Sequence, residues 1–80
     1  MNDTKSTIAK NLRKYRLRAG MTQEQAAEAV EKDQSYISRV ENGEYTPLSD
    51  TLALFAKAYK VKPGVFYEEN NEPERLKATA

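Results

Sequence analysis

Apolar residues fall at Ile8, Leu12, Tyr15 and Ala19, at intervals of four, three and four positions. Those intervals return each side chain to one side of an α-helix, so the pattern predicts an amphipathic first helix, which Gly20 stops as a C′ residue. Met21-Thr22-Gln23-Glu24-Gln25 follows, a capping box in which Thr22 caps the next helix and Gln25 reaches back to it. A short second helix over 23–30 is lined by Ala26, Ala27 and Val30, small side chains that let another helix approach closely. Glu31-Lys32-Asp33 is a turn, and Asp33 is a good N-cap for a third helix, QSYISRVENG, at 34–43. At 100° per residue, Ile37 and Val40 share one face of it while Ser35, Ser38, Arg39 and Asn42 lie on the far side. Asn42-Gly43 closes it with a left-handed cap.

Pro47 marks the exit from a loop, and Leu48, Leu52, Phe55 and Tyr59 then stand at helical spacing in a fourth helix. Val61-Lys62-Pro63-Gly64 breaks the chain, and Val65-Phe66-Tyr67 reads as a short closing helix whose aromatic rings cap the core. No alternation typical of strands and no repeat interrupts this sequence of helices. The expected fold is therefore all-α, with five helices in one domain over residues 1–68 and a polar C-terminal tail over 69–80.

Composition narrows the chemistry. The 80 residues include no cysteine and no histidine, so disulfides, thiolate metal sites and the usual nucleophile-base pairs are excluded. No acid-base pair or phosphate-cradling glycine loop is visible either, and the expectation is a protein that is not an enzyme and carries no metal or cofactor. No run approaches the roughly 18 apolar residues of a membrane span, and MNDTKSTIAK lacks the apolar core of a signal peptide. A soluble cytoplasmic protein without a membrane partner is expected.

The formal net charge is only +1, but it is unevenly placed. Lys5, Lys10, Arg13, Lys14, Arg16 and Arg18 stand against Asp3 alone in the first twenty residues, whereas Glu68, Glu69, Glu72 and Glu74 outweigh Arg75 and Lys77 at the other end. The acidic tail hides a basic end in the total.

Two helices joined by a short turn, the first small and alanine-rich, have the layout of a helix-turn-helix. A helix that enters the major groove needs a narrow apolar stripe for its scaffold, small residues that avoid clashes, and a few long polar ones that reach base edges. Gln34, Ser35, Ser38 and Arg39 meet that demand.

MTQEQAAEAVEKDQSYISRVENG resembles the helix-turn-helix of the Cro/C1 repressor family, also called the Xre family, in the T-Q-E start, the inner alanine and the S-Y-I-S-R-x-E-N-G run. The resemblance covers about residues 6–67. It implies a lambda-repressor-like bundle and a transcriptional regulator that binds double-stranded operator DNA as a homodimer. It also implies that Gln34, Ser35, Ser38 and Arg39 read bases, and that Thr22, Gln23 and Asn42 hold phosphates. Tyr36 has two open roles, a phosphate or sugar contact and a packing role. Arg16 matches a family arginine that pairs with the glutamate near the end of the third helix, here Glu41, and should face inward despite its charge.

The chain departs from the family in the turn, where Glu31 replaces a usual glycine and Lys32 a usual apolar residue. A left-handed glutamate costs about 1 to 2 kcal/mol. Ser49 replaces an often apolar residue, with Leu48 as a neighbour to compensate. A joining surface for two copies is expected away from the third helix, with Tyr59, Val61, Val65 and Phe66 as candidates. The rival reading is an antitoxin or interaction module that binds a partner protein as well as DNA, through the C-terminal tail and an apolar patch around Leu76 or Phe66.

Overall fold

In the computed structural model, which describes residues 3–69, the first helix, α1 (Thr4–Arg18), begins where Asp3 accepts a hydrogen bond from the Ser6 backbone N–H at 2.7 Å. α2 (Gln23–Ala29) begins at a complete capping box, with Gln25 N–H donating to Thr22 Oγ1 at 3.0 Å and Thr22 N–H to Gln25 Oε1 at 2.9 Å. α3 (Gln34–Glu41) is capped by Asp33, whose carboxylate accepts from Tyr36 N–H at 2.9 Å. Each cap satisfies a donor that the helix itself leaves unpaired. α4 (Ser49–Tyr59) has no side-chain cap, and Pro63–Tyr67 closes the described chain. That last element is a 3₁₀ helix, so the five helices expected are four α-helices and a tighter turn of five residues. With Pro63 and Gly64 at its start it is too short to propagate as an α-helix.

The helices end alike. In α1, Gly20 N–H donates to Leu17 O at 3.0 Å and Met21 N–H to Arg16 O at 3.2 Å, the paired bonds of a Schellman motif around a left-handed residue. The same pair recurs at Glu31 and Lys32 after α2, at Gly43 and Glu44 after α3, and at Lys60 and Val61 after α4. The left-handed positions are Gly20 (φ 72°), Glu31 (φ 62°), Gly43 (φ 80°) and Lys60 (φ 61°). Asn42 itself is right-handed at φ −87°, so Gly43 alone carries the reversal expected of Asn42-Gly43. Glu31 does adopt the strained conformation that its place in the turn implied.

Ile8, Leu12, Ala26, Val30, Ile37, Val40, Leu52, Phe55 and Phe66 form the centre of one core. Two expected core positions fall outside it. Ala19 is the exposed C-cap of α1. Leu48 is 75% exposed because α4 starts one residue later, and its extended backbone turns the side chain off the helical stripe while Pro47 is buried beside it. Leu48 therefore does not compensate for the exposed Ser49.

Two polar residues tie α1 to the rest. Asn11, 2% exposed, donates from Nδ2 to the carbonyls of Val65, Phe66 and Glu68 at 3.2, 2.9 and 2.7 Å, which fastens the 3₁₀ helix to α1. Arg16 donates from Nε to Glu41 Oε2 at 2.7 Å, from Nη2 to Glu41 Oε1 at 3.1 Å and from Nη1 to the Met21 carbonyl at 2.9 Å. Both side chains are buried, at 9% and 4% exposure. Hydrogen bonding to Glu41 raises the guanidinium pKa despite the opposing effect of burial. Nearby, Tyr59 buries its hydroxyl with no hydrogen-bond partner among the described residues, and burial pushes its phenol well above the usual range.

Glu31→Gly should raise stability by about 1 kcal/mol, seen as a higher urea midpoint at unchanged slope, because glycine accepts the left-handed backbone without strain. Replacing Arg16 or Glu41 singly by an uncharged residue should each cost about 3 to 5 kcal/mol, since the survivor is a buried charge without its partner. The double variant should cost much less than the sum, and additive losses in that cycle would show that the pair is not coupled.

Candidate nucleic-acid interface

α3 turns Ile37 and Val40 fully into the core and leaves Gln34, Ser35 and Arg39 exposed, with Ser38 half-buried between them. Asn42 is exposed at its end, and Thr22 at the start of α2. Along α3 Gln34, Ser35, Ser38, Arg39 and Asn42 share the side away from Ile37 and Val40, and the hydrogen bond between Gln34 and Gln23 brings the start of α2 beside it.

The buried ion pair extends to this face. Glu41 Oε1, already bound to Arg16, also accepts from Gln23 Nε2 at 3.2 Å, and Gln23 Oε1 accepts from Gln34 Nε2 at 3.3 Å. A chain of hydrogen bonds therefore runs from the Met21 carbonyl through Arg16, Glu41 and Gln23 to Gln34. It begins inside the bundle and ends on an exposed side chain. Gln23 keeps one Nε2 hydrogen beyond these contacts, and Gln34 keeps its Oε1 and one N–H. An amide that presents an acceptor and a donor side by side matches the N6 and N7 edge of adenine.

Tyr36 is half-buried, and the geometry gives substance to its packing role. Its ring lies 5.6 Å from that of Tyr45 at an angle of 54°, with Lys32 Nζ over it at 5.3 Å. Burial raises the phenol pKa, and a hydrogen bond with Thr51 opposes that shift. Lys32 stands where an apolar plug was missing and covers an aromatic face instead, as lysine does when its stem lies along apolar surface. Tyr45, 39% exposed, is the member of this cluster that sequence reasoning missed. The available signal was an aromatic residue in a polar loop, two positions after Gly43.

Around the exposed side of α3 the charges are mixed. Lys32 and Arg39 stand with Glu31, Asp33 and Glu44, all exposed. The larger set of cations lies on α1, where no carboxylate occurs between Thr4 and Arg18.

The four residues expected at a joining surface divide in two. Tyr59 and Phe66 are 4% and 0% exposed, locked in a run of ring contacts from Phe55 to Tyr59 (5.7 Å), Tyr59 to Phe66 (6.4 Å) and Phe66 to Tyr15 (6.1 Å). They are core residues and offer no surface to a second copy. Val61 and Val65 are half-buried, and on α4 Leu54 (41% exposed) and Ala58 stand one turn apart before the left-handed Lys60. Leu76, with the rest of 70–80, lies outside the described residues, and the buried Phe66 offers no patch to a partner protein either. No helix among the described residues is long and apolar enough to cross a membrane.

Residues 12–66 match the helix-turn-helix family model. Among solved structures, a hypothetical transcription factor, NHTF, from Neisseria is similar at 28% identity and a TM-score of 0.79, over 95% of this chain and 85% of its own. A point mutant of the restriction-modification controller protein C.Esp1396I is 33% identical with a TM-score of 0.72, over 80% of this chain and 85% of its own. The clp gene regulator ClgR from C. glutamicum, at 24% identity and a TM-score of 0.76 over 82% of this chain and 86% of its own, shares the fold. No curated protein matches the chain. With its capped α2, its left-handed turn and an α3 that buries Ile37 and Val40 and exposes Gln34, Ser35 and Arg39, the chain belongs to the Cro/C1-type helix-turn-helix family of DNA-binding transcription regulators.

Proposed function

We propose that this protein is a repressor that binds a palindromic operator as a symmetric homodimer, with α3 of each copy in the major groove. The observation that carries the reading is the hydrogen-bonded chain from Arg16 to Gln34, which holds a base-reading amide in place before DNA arrives. A side chain ordered in advance loses less conformational entropy on binding. In this reading Gln34, Ser35, Ser38 and Arg39 meet base edges. Thr22, the Gln23 backbone N–H and remaining amide hydrogen, Tyr36 and Asn42 hold the sugar-phosphate backbone.

Charge supports the same division. The mixed charges around α3 give a modest electrostatic attraction to phosphate, so selectivity rests on the base contacts. Arg39 is the strongest of these, because a guanidinium pairs bidentately with guanine O6 and N7. One α3 touches too few base pairs to select a site among roughly 10⁶ or more competitors, and a second copy solves this. The exposed Leu54 with Ala58 on α4, together with the half-buried Val61 and Val65 beyond its end, is the apolar surface that would join the copies, since Tyr59 and Phe66 are occupied in the core.

Arg39→Ala should remove about 1 to 3 kcal/mol of discrimination at one base pair of each half-site, whereas Asn42→Ala should weaken specific and random duplexes alike. Selection of bound sequences from random duplexes, followed by titration, reads both. Equal losses on specific and random DNA for Arg39→Ala would overturn its role.

Two copies on one face of the duplex require half-site centres about 34 Å apart. A full palindrome should therefore take two protomers and bind far more tightly than a half-site, and Leu54→Glu should reduce the palindrome to half-site affinity. One protomer per palindrome, or equal affinity for the two duplexes, would end the dimer proposal.

A further inference from the structure

α1 packs on α3, α4 and the 3₁₀ helix, and α2 packs on α3 and α4. Each keeps an outer face exposed. On α1 that face carries Lys10, Arg13 and Leu17, three and then four positions apart and so along one strip of the helix. Leu17 is 54% exposed, an apolar side chain at the end of a row of cations, and α1 contains no carboxylate. On α2 the exposed residues after the capping turn begins are Glu24, Gln25, Glu28 and Ala29, and that helix contains no cation. One outer face is basic and the other acidic.

Neither charge set is answered within one chain. Among the described residues no ion pair engages Lys10, Arg13, Glu24 or Glu28. Glu24 stands in the first turn of α2, where the helix dipole favours a carboxylate, but Glu28 stands in the last turn, where the dipole opposes it. The two are also one turn apart, a spacing at which like charges repel. The cation that follows, Lys32, turns its ammonium over the Tyr36 ring at 5.3 Å instead. The faces match each other in layout: each reads two like charges and then an apolar residue in the same chain direction. Lys10 to Leu17 rises about 10 Å and Glu24 to Ala29 about 7.5 Å, a difference that long lysine and arginine side chains can span. Ala29 is the only exposed apolar residue of α2, and its small side chain leaves room for Leu17.

We propose that the outer face of α1 is a docking surface for the outer face of α2 on a second copy of this chain. Lys10 and Arg13 pair with Glu24 and Glu28 across the contact, and Leu17 covers Ala29. Such a contact uses a different face of each copy and leaves one of each unused, so it runs head to tail from copy to copy. Two single helix faces make a small interface beside the roughly 1,200 Å² of the smaller stable complexes. The contact therefore forms at high protein concentration or where copies already stand side by side. It shares no residue with the Leu54 surface or with α3, and it does not depend on the DNA-binding reading.

The test follows the backbone amide signals of the isotope-labelled full-length chain as its concentration is raised at about 0.01 M salt, where the screening length is about 30 Å. Signals of Lys10, Arg13 and Leu17 should shift together with those of Glu24, Glu28 and Ala29, along one saturation curve, and the shifts should be lost at about 1 M salt. Lys10→Glu with Arg13→Glu should abolish the shifts on both faces, and so should Glu24→Lys with Glu28→Lys. All four substitutions in one chain exchange the charges of the two faces at the same formal net charge of +1 and should restore the shifts. A mixture of the two double variants, each folded by circular dichroism, should restore them as well. Shifts at Leu54 and Val61 would report the symmetric dimer and should persist in every variant, so the two contacts fail or succeed separately. Absence of shifts, shifts confined to one of the two faces, or no restoration in both the fourfold variant and the mixture would overturn the proposal. Shifts on α1 that arise only when duplex DNA is added would assign its face to phosphate and overturn the proposal as well.

Discussion

The bidentate contact between Arg16 and Glu41 is the constraint on which the arrangement of the interface depends. A guanidinium and a carboxylate both taken out of water are stable together only when their hydrogen-bonding groups are met in good geometry. Here Arg16 meets two carboxylate oxygens and the Met21 carbonyl, and Glu41 meets both Arg16 and Gln23. Satisfying the pair therefore fixes three things at once. It sets the position of α3 against α1, the path of the chain where α1 hands over to α2, and the orientation of the first side chain of α2. An apolar contact in the same place would bury area but leave Gln23, and with it Gln34, free to rotate. The buried pair is better understood as specifying geometry than as adding stability.

Electrostatics divide the molecule along a different line from packing. The acids beside α3 offset its two cations, so a phosphate backbone would meet little net positive charge there. The strongly basic helix is α1, whose outer face is turned away from its contacts with α3. Net charge near zero thus hides a separation of basic and acidic regions across a domain of radius of gyration 12.6 Å.

Much of this was legible in the sequence because the signals were local. Asp3 was an exception, a capping residue that the apolar spacing did not call attention to. Thr22 with Gln25, Asp33 before Gln34, and Gly20 and Gly43 all act within one turn of themselves, and the structure places them where their chemistry requires. The inward arginine was also legible, from its place one helical turn beyond Leu12 and from the family pattern, whereas Arg13 lies off that stripe. The misses share a cause. Leu48 continued the apolar spacing of α4 by one residue, yet helix start decides whether spacing has meaning, and α4 begins at Ser49 without a side-chain cap to announce it. Tyr59 and Phe66 were apolar near the chain's end and open to two uses. Only the tertiary contacts among Phe55, Tyr59, Phe66 and Tyr15 show that the core claims them.

The turn between α2 and α3 shows how the chain tolerates a departure from its family. Glu31 bears the strain of a left-handed backbone, but the hydrogen bonds of the motif are intact on both sides of it, with Glu31 N–H reaching Glu28 O at 3.2 Å and Lys32 N–H reaching Ala27 O at 2.9 Å. Lys60 carries the same strain after α4 with the same pair of bonds. In both places the geometry is imposed by the helices packed on either side, not by the residue at the bend. Glycine would make the turn easier to form without making it a different turn. The hydrogen bonds of the turn thus persist with a strained residue at its bend, whereas the buried pair that sets α3 against α1 has no such latitude.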